Sequence, residues 1–492
     1  MIDGARRDAY PCRMGVRASI FRMILVAALA GIPATAVAVP GAIDSTWAIQ
    51  SVDVGSNSGS STSLGLVQGF PVIAYFGSPR NLKYAFMDRQ TFVWKLARID
   101  AGGEYTSMAV DAAGNVNVGY LDDQTHQLKY YRNVGGASAI QVIDSETGQG
   151  GMGYFNSIQV DATGVPHISY YYWRDPSGAV TSDRLKYADA TGAGWVPALA
   201  DPTPGRGRYN SLAVDPTGKS PVIAYYDGAR KLRLAGLISN TWASIVVDSV
   251  GDPGRFNSIA LDASGNEHIS YIAATPLLLR YAAFNGATWT FEDVAPVGAA
   301  GTTLPGTSLA LDSGGFPHIA YYDGVTGTLK YASRNGPNNW TIETVDSVPG
   351  ANVGSYCSLK LDPLGRPIIS YYDATNQMLK IAYGNYPDAD SDGIPDAFDA
   401  HPLDPDYNHN GIVDGKEGGV PVGGSGIPRL PDEPIFGCGS LAALYVVRPP
   451  GGGPPSADLL FLLGPAAYPW LRRRSRRRAQ PALFSARAYT SP

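Results

Sequence analysis

The chain is poor in cysteine, histidine and charge for its length. Of 492 residues, three are Cys, six are His and 16% are charged, against an average charged fraction of about 25%. Cys12 lies near the N-terminus, and Cys357 and Cys438 lie in different parts of the chain, so a disulfide framework is not indicated. The net charge of -5 gives no general attraction to nucleic acid. Low charge with 58 Gly and 29 Tyr favours an all-β protein.

The N-terminus has the pattern of an export signal. Arg13, Arg17 and Arg22 precede the apolar run "MILVAALAGIP", and the small residues "AVA" that follow could be cleaved. We therefore expect residues 1–38 to be a signal peptide, whose start is either Met1 or Met14. The mature protein would be exported, to the cell surface or beyond it.

One unit of sequence recurs along most of the chain. The stretch "SLALDSGGFPHIAYYD" (Ser308 to Asp323) has five close relatives in the chain and one more divergent copy, which begins at Ser63. The Asp that closes its first strand recurs at positions 111, 161, 215, 262, 312 and 362, a period close to fifty residues. Each unit reads as four short strands separated by turn residues, with no helical period between them. This pattern predicts a seven-bladed β-propeller over residues 39–386, with one four-stranded sheet in each blade.

Residue sizes and the two ends of the repeat support this fold. Small residues fill the first strand and Trp recurs in the fourth, as a blade that widens toward its rim requires. The seventh copy ends at "LKIAYGNY" without its Trp strand, whereas "STWAIQSVD" stands directly after the predicted signal. We therefore predict that the strand around Trp47 pairs beside Leu379–Tyr383 and closes the last blade.

The repeat resembles that of bacterial extracellular propellers of the "SLALDSxGxPHISYYD…LKYA…W" type, which are related by analogy to seven-bladed lectin propellers. The resemblance covers roughly residues 43–386 and implies the fold. It implies little about activity.

Two sets of predicted loops carry recurring polar and aromatic residues. In propellers, the loop between blades and the loop between the second and third strands lie on one face, near the mouth of the channel. Tyr, Asn and Asp at such a face can stack on sugar rings and bond to hydroxyl groups, or form a protein-binding surface. Alternatively, each of them caps a strand or packs blades together. The candidate ligand-binding residues are Tyr209, Phe256 and Tyr356, which recur with Tyr105 and Phe155, and Tyr226, Asp227, Tyr322, Asp323, Tyr372 and Asp373.

The residue composition changes at residue 387, where two acidic loops with the same spacing of polar residues follow each other. Each loop places oxygen-bearing side chains at positions 1, 3, 5, 9 and 12, a Gly at position 6 and a backbone carbonyl at position 7, as a calcium loop does. The first loop offers Asp388, Asp390, Asp392, Ile394, Asp396 and Asp399, and the second Asp406, Asn408, Asn410, Ile412, Asp414 and Glu417. We expect structural calcium at residues 387–419. The first loop resembles a thrombospondin type 3 repeat, and the second an EF-hand loop such as dockerins carry, although no flanking helices are evident.

The C-terminal part contains a spacer and a tail. Residues 420–436 read as a linker without a core-forming pattern. Residues 437–492 contain Cys438, a short apolar stretch (Ala457 to Leu471) and six Arg within Arg472–Arg478. Together these resemble the tripartite sorting tails of Gram-negative surface proteins. That resemblance implies transient membrane contact, cleavage near Cys438 by a sorting protease, and display at the outer membrane or release. A disordered tail remains the alternative, and an exported chain without interleaved aromatics argues against nucleic acid as a partner.

No catalytic set stands out, so we expect no catalytic residues and no enzyme. G-x-S-x-G, H-E-x-x-H and Walker sequences do not occur, and arginines do not recur at one repeat position as a sialidase-type channel would need. The leading hypothesis is an exported, non-catalytic, lectin- or adhesin-like module for an extracellular glycan or protein. A glycan-active hydrolase or lyase with carboxylates on different blades is the alternative.

Overall fold

The computed structural model describes residues 47–425, except 56, 135, 146–150, 174–182, 192–193, 216–219, 299–305 and 409–411. The predicted signal peptide (1–38), the sorting tail (437–492) with Cys438, residues 426–436 of the linker, and Asn410 lie outside the described residues. Within the described part, no helix has the length and apolar character needed to cross a membrane.

The described chain folds into seven antiparallel sheets, one for each repeat, which confirms the predicted seven-bladed propeller. The sheets follow one another in chain order, and within each sheet the strands are paired in sequence, apart from one strand added to the last blade and one added to the first. Blade 1 contains β2 Ser58–Val67, β3 Phe70–Gly77, β4 Asn81–Met87 and β5 Trp94–Ala101; blade 2 contains β6 Glu104–Val110, β7 Val116–Asp122, β8 Gln127–Val134 and β9 Ala137–Asp144; blade 3 contains β10 Gly151–Val160, β11 Pro166–Trp173, β12 Arg184–Asp189 and β13 Val196–Asp201; blade 4 contains β14 Arg206–Val214, β15 Pro221–Asp227, β16 Leu232–Ile238 and β17 Thr241–Asp248. Blade 5 contains β18 Arg255–Leu261, β19 Glu267–Ala274, β20 Leu277–Phe284 and β21 Trp289–Pro296; blade 6 contains β22 Thr307–Leu311, β23 Pro317–Asp323, β24 Thr328–Gly336 and β25 Asn339–Asp346; blade 7 contains β26 Val353–Leu361, β27 Pro367–Asp373 and β28 Met378–Gly384.

The last blade is completed from the N-terminal side of the chain. Strand β1 (Trp47–Asp53) pairs antiparallel with β28, with Trp47 opposite Gly384 and Ile49 opposite Ala382. The sheet order β1-β28-β27-β26 makes β1 the outer strand of blade 7. The predicted closure is thereby confirmed.

A closed ring of hydrogen bonds joins the inner strands around the channel. In every blade, the Ser that opens the "SLAL" stretch accepts the backbone N–H of the next blade's inner strand, at donor–acceptor distances of 2.9–3.2 Å. The bond from Leu64 N–H to Ser358 Oγ links blade 1 to blade 7 and completes the circle. The ring accounts for the recurrence of Ser, which residue size alone does not explain. The seven acceptors are Ser63, Ser107, Ser157, Ser211, Ser258, Ser308 and Ser358.

A second recurring contact joins neighbouring blades farther from the axis. At six of the seven interfaces, the Asp near the end of a fourth strand accepts a hydrogen bond from a buried Tyr hydroxyl in the second strand of the next blade. At the blade 7–blade 1 interface the pair is Asp53 and Tyr75, 2.8 Å apart, and Lys83 contacts the same carboxylate. At the blade 5–blade 6 interface the Asp position is held by Ala295, which lies opposite Leu279 as Asp248 lies opposite Leu232.

Residues 387–425 pack across the interface between blades 7 and 1. Two short 3₁₀ helices, Asp396–Phe398 and Asp414–Lys416, interrupt the acidic loops. The buried ring of Phe398 lies 5.7 Å from Phe70 of blade 1 and 5.3 Å from Tyr383 of blade 7, measured between ring centroids. The acidic segment is therefore part of the propeller core and bridges its first and last blades.

The start of the predicted linker is a strand in the structure. Strand β29 (Val420–Ser425) pairs parallel to β5 and makes blade 1 five-stranded. Gly419 N–H donates to Val52 O at 2.6 Å just before it. Sequence reasoning missed this strand because an added edge strand is held by backbone hydrogen bonds, which need no hydrophobic alternation.

Candidate functional sites

Five aromatic side chains surround one mouth of the channel. Tyr105, Phe155, Tyr209, Phe256 and Tyr356 occupy the same position of five inner strands and are all half-buried. Each has a left-handed backbone, with φ between 50° and 55°. Ser61 of blade 1 shares this backbone, with φ 50°, so the geometry recurs at six blades. For a bulky residue it is a strained outlier, which makes the five aromatics at these positions a built feature.

Glycines and capping side chains hold this geometry. A Gly with positive φ stands two residues before each aromatic, and a Cβ on Gly207 would lie 2.8 Å from the backbone of Leu185. In blades 3 and 5 the Asn after the aromatic bridges two blades: Asn257 Nδ2 donates to Gly254 O within the blade and to Tyr209 O of the preceding blade, and Asn156 does the same with Gly153 and Tyr105. The recurring signal in sequence is G-x-[YF]-[NTC]-S, which marks these five positions.

The aromatic rings contact one another around a small cavity. Ring centroids are 4.9 Å apart for Tyr105 and Phe155, 4.7 Å for Phe155 and Tyr209, and 4.3 Å for Tyr209 and Phe256. The cavity has a volume of about 200 Å³ and is lined by Tyr105, Phe155, Phe256 and Tyr356, whereas Tyr209 contacts its neighbours without lining it. Blades 1 and 6 lack an aromatic here and carry Ser61 and Gly306, which also line the cavity. The rings therefore form an arc that opens on both sides of Tyr356.

The structure brings Tyr226 and Tyr372 close to this arc. The Tyr226 ring meets that of Tyr209 edge to face, with centroids 6.0 Å apart, and its hydroxyl donates to Asp252. Burial, and then the bond to Asp252, raise the pKa of Tyr226. Tyr372 lies 6.4 Å from Tyr356. Tyr322 is buried.

The three Asp residues predicted beside these tyrosines are buried and occupied in turns. Asp227 accepts the backbone N–H of Lys231, and Asp323 accepts that of Val325. Asp373 accepts backbone N–H groups of Thr375 and Asn376. These contacts cap the ends of strands, which favours the alternative stated for these residues, that each caps a strand or packs blades together.

Three histidines, His167, His268 and His318, occupy the same position of the second strand in three separate blades. Nδ1 of His268 contacts the Tyr281 hydroxyl, and Nδ1 of His318 contacts that of Tyr331. Burial lowers the pKa of both imidazoles. They are not gathered at one centre.

The first acidic loop brings its carboxylates together. Oxygen atoms of Asp388, Asp390 and Asp392 lie within 4.8 Å of one another. Asp392 is 4% exposed, and within the described part of the chain its Oδ2 and that of Asp390 accept no hydrogen bond. Burial, together with the charges of Asp390, Asp399 and Asp388, raises the pKa of Asp392 to about 7. This donor set fits a hard divalent cation, which would neutralise the repulsion and use the oxygens that lack partners.

The other predicted ligands of the first loop each have different contacts in the structure. Ile394, whose carbonyl was assigned to position 7, is a buried core residue, and Asp399 accepts the His401 N–H. Asp396 accepts the Ala389 N–H across the first loop. Position 6 is Gly393, where a Cβ would lie 2.1 Å from Ile49 O, so glycine there serves both the turn and the contact with the closing strand β1.

The second loop is described except for 409–411. Asn408 Nδ2 donates to Glu417 Oε1 at 2.8 Å, and Tyr407 N–H approaches Asp414 Oδ2 at 3.4 Å. Burial and nearby Glu417 and Asp406 raise the pKa of Asp414. Ile412 is exposed.

Comparison with known proteins gives similarity at the level of fold. No protein-family model and no curated protein matches the chain. Among solved structures, it is similar to a polysaccharide lyase described as an ulvan lyase, at 14% identity and a TM-score of 0.48, over 68% of this chain and 96% of that one. It is also similar to a fucose-specific lectin from Aleuria aurantia, at 12% identity and a TM-score of 0.40, over 60% and 97% of the two chains. A Hadza microbial sialidase matches at 12% identity and a TM-score of 0.40, over 62% and 73%. These similarities do not distinguish binding from catalysis.

Proposed function

We propose that the protein is a non-catalytic binding module that holds a glycan or protein ligand at the aromatic mouth of its propeller. The observation that carries the proposal is the set of half-buried aromatics in a strained left-handed conformation at the channel mouth, four of which, Tyr105, Phe155, Phe256 and Tyr356, line a cavity of about 200 Å³. Backbone strain of this kind persists where the surrounding fold over-determines it, and it is concentrated at binding sites. Aromatic faces beside hydroxyl and amide groups suit the apolar face and the hydroxyls of a sugar ring.

Binding and turnover on the full chain test this proposal. A glycan and protein-ligand array should give saturable binding, and Tyr105→Ala should weaken it at least about tenfold, since an aromatic contact in the wall of the cavity and its buried area are lost. Tyr407→Ala is a matched control, because Tyr407 is an exposed Tyr in the second acidic loop. Equal loss in both variants, or no binding at all, would contradict the proposal. Release of product from a bound glycan would instead favour the alternative, a glycan-active hydrolase or lyase.

We also propose that residues 387–419 bind calcium for structural purposes. Support comes from the three converging carboxylates of the first loop and from the buried, unpartnered Oδ2 of Asp392. Isothermal titration of the full chain should show calcium binding that Asp392→Asn weakens and that Asp404→Asn, outside the ligand positions, leaves intact. Absence of heat on adding calcium to chelator-treated protein would contradict the assignment.

Export and surface display complete the proposal and rest on sequence alone. The expected signal peptide and the sorting tail with Cys438 imply passage out of the cell and processing by a sorting protease. Fractionation of the native host, with mass spectrometry of both termini of the mature chain, tests this. An intact N-terminus and an intact Cys438 region in cytoplasmic protein would contradict it.

A further inference from the structure

One lysine stands inside the propeller, at a position where five of the other six blades have Gly or Ala. Lys360 of β26 pairs with Ile368, and the same register position in the other blades can be read from their inner strands. Five blades have Gly or Ala there and one has Gln. In chain order these residues are Gly65, Ala109, Gln159, Ala213, Ala260, Ala310 and Lys360.

Lys360 and Gln159 line the same cavity, of about 410 Å³, in the central channel. In a ring of seven, blade 3 lies nearly opposite blade 7, so the amide and the ammonium face the channel from two sides. The volume lies within the usual range of small-molecule sites, roughly 300–1,000 Å³. The channel is therefore large enough for a ligand and not merely for a row of waters.

The Lys360 ammonium lacks a counter-ion. Among the described residues, no carboxylate oxygen lies within salt-bridge distance of its Nζ, whereas Lys83, Lys129, Lys186 and Lys380 all pair with Asp. The Lys360 side chain is exposed to water in the open channel. Because protein surrounds the channel, desolvation lowers the pKa of the Lys360 amine. An unpaired cation in a partly desolvated site favours an anion as its ligand.

The channel walls supply further donors. Six of the seven ring serines line the cavity, and their oxygens accept backbone N–H groups, which leaves the hydroxyl protons to donate. One carboxylate, Asp262, lines the cavity, and its two oxygens are occupied by Ser264 and by Asn266. The polar groups free to meet a ligand are thus mostly donors.

We propose that the central channel binds an oxyanion, a carboxylate, phosphate or sulfate group, between the Lys360 ammonium and the Gln159 amide. The group could belong to a free small molecule or to an acidic sugar. The proposal does not depend on binding at the aromatic mouth, whose residues lie nearer one end of the same inner strands.

Carbon-13 NMR of the reductively dimethylated full chain tests this directly, because ten lysines give few signals. The Lys360 signal is assigned with Lys360→Met. Phosphate, acetate, glucuronate and neutral glucose are titrated at ionic strength held constant with chloride. Phosphate should shift the Lys360 signal in a saturable way and raise the pKa of that amine. Glucose should do neither.

Variants separate the site from general charge effects. Unmodified protein should bind phosphate in isothermal titration, and Lys360→Met should weaken this at least about tenfold, because a charge-assisted bond is lost. Gln159→Ala should weaken it less, and Lys231→Met, outside the channel, should not. Binding of phosphate and acetate indicates a free small oxyanion, whereas binding of glucuronate alone indicates an acidic sugar. Equal shifts of all lysine signals, or no saturable shift with any anion, would overturn the proposal.

Discussion

Phe398 offers a direct test of the packing between the acidic segment and the propeller. Its ring is 6% exposed and contacts Phe70 of blade 1 together with Tyr383 and Tyr386, which belong to or follow blade 7. Truncation of a buried Phe to Ala costs about 3–5 kcal/mol, since transfer and cavity terms add. A domain of this size unfolds with an entropy that changes its free energy by roughly 0.8 kcal/mol per kelvin. We therefore expect Phe398→Ala to lower the thermal midpoint by about 5 °C.

Differential scanning calorimetry of the full chain, with calcium present, measures this shift. Leu403→Ala is the matched control, because Leu403 lies five residues away in the same segment and is 83% exposed, so its truncation should change the midpoint by less than about 1 °C. If Phe398→Ala behaves like this control, the segment does not pack on the blade 7–blade 1 interface. If the acidic segment instead unfolds in a separate transition that the substitution alone shifts, it is not part of the cooperative unit.

Three further substitutions test the contacts between blades. Ser308→Ala removes the acceptor of the Leu359 N–H and should lower the free energy of unfolding, measured in urea, by about 1 kcal/mol. Ser313→Ala, in an exposed turn, is the control and should lower it little. Equal effects of the two substitutions would show that the serine ring does not stabilise the fold. Burial raises the pKa of Asp201, but hydrogen bonds from Tyr225 and Arg206 outweigh it and lower that pKa from 3.8 to about 2. About 2 kcal/mol of stability is therefore present above pH 4 and lost as the pH falls toward 2, and Asp201→Asn should remove that part of the acid dependence. Ala295→Asp should supply the missing acceptor for Tyr321 and raise the thermal midpoint by about 1 °C; a fall would show that the blade 5–blade 6 interface is built differently.

The propeller could be predicted because its determinants are repeated. A fifty-residue period, turn residues between strands and a displaced Trp strand gave the blade number, and the pairing of Trp47 with Gly384 confirms the closure. Strand β29 could not be predicted, since pairing along the edge of β5 depends on backbone groups that every residue carries. The packing of Phe398 on Phe70 was missed because the two residues are far apart in sequence and share no repeat position.

The candidate sites also have features that could be predicted from the sequence and features that could not. The positions of Tyr209, Phe256 and Tyr356 could be predicted from recurrence, but their left-handed backbone could not, because the Gly two residues earlier has meaning only once the preceding blade is packed against it. Buried Asp227 and Asp373 were candidates for a ligand because an Asp after a strand looks alike in sequence whether it caps a turn or faces solvent.

Departures from the repeat add to the recurring aromatics an asymmetry that the repeat itself lacks. Ring geometry acts equally on all blades, so a residue required by the fold recurs around the circle, as the inner-strand Ser does. Lys360 stands once where the other blades have Gly, Ala or Gln, and Ser61 and Gly306 interrupt the aromatic arc on either side of Tyr356. Blade 7 is thus both the blade beside which the mouth opens and the blade that places a charge in the channel. The sevenfold repeat is therefore asymmetric at blade 7. A ligand that enters the channel beside this blade would meet the aromatic rings first and the Lys360 ammonium farther along the inner strand.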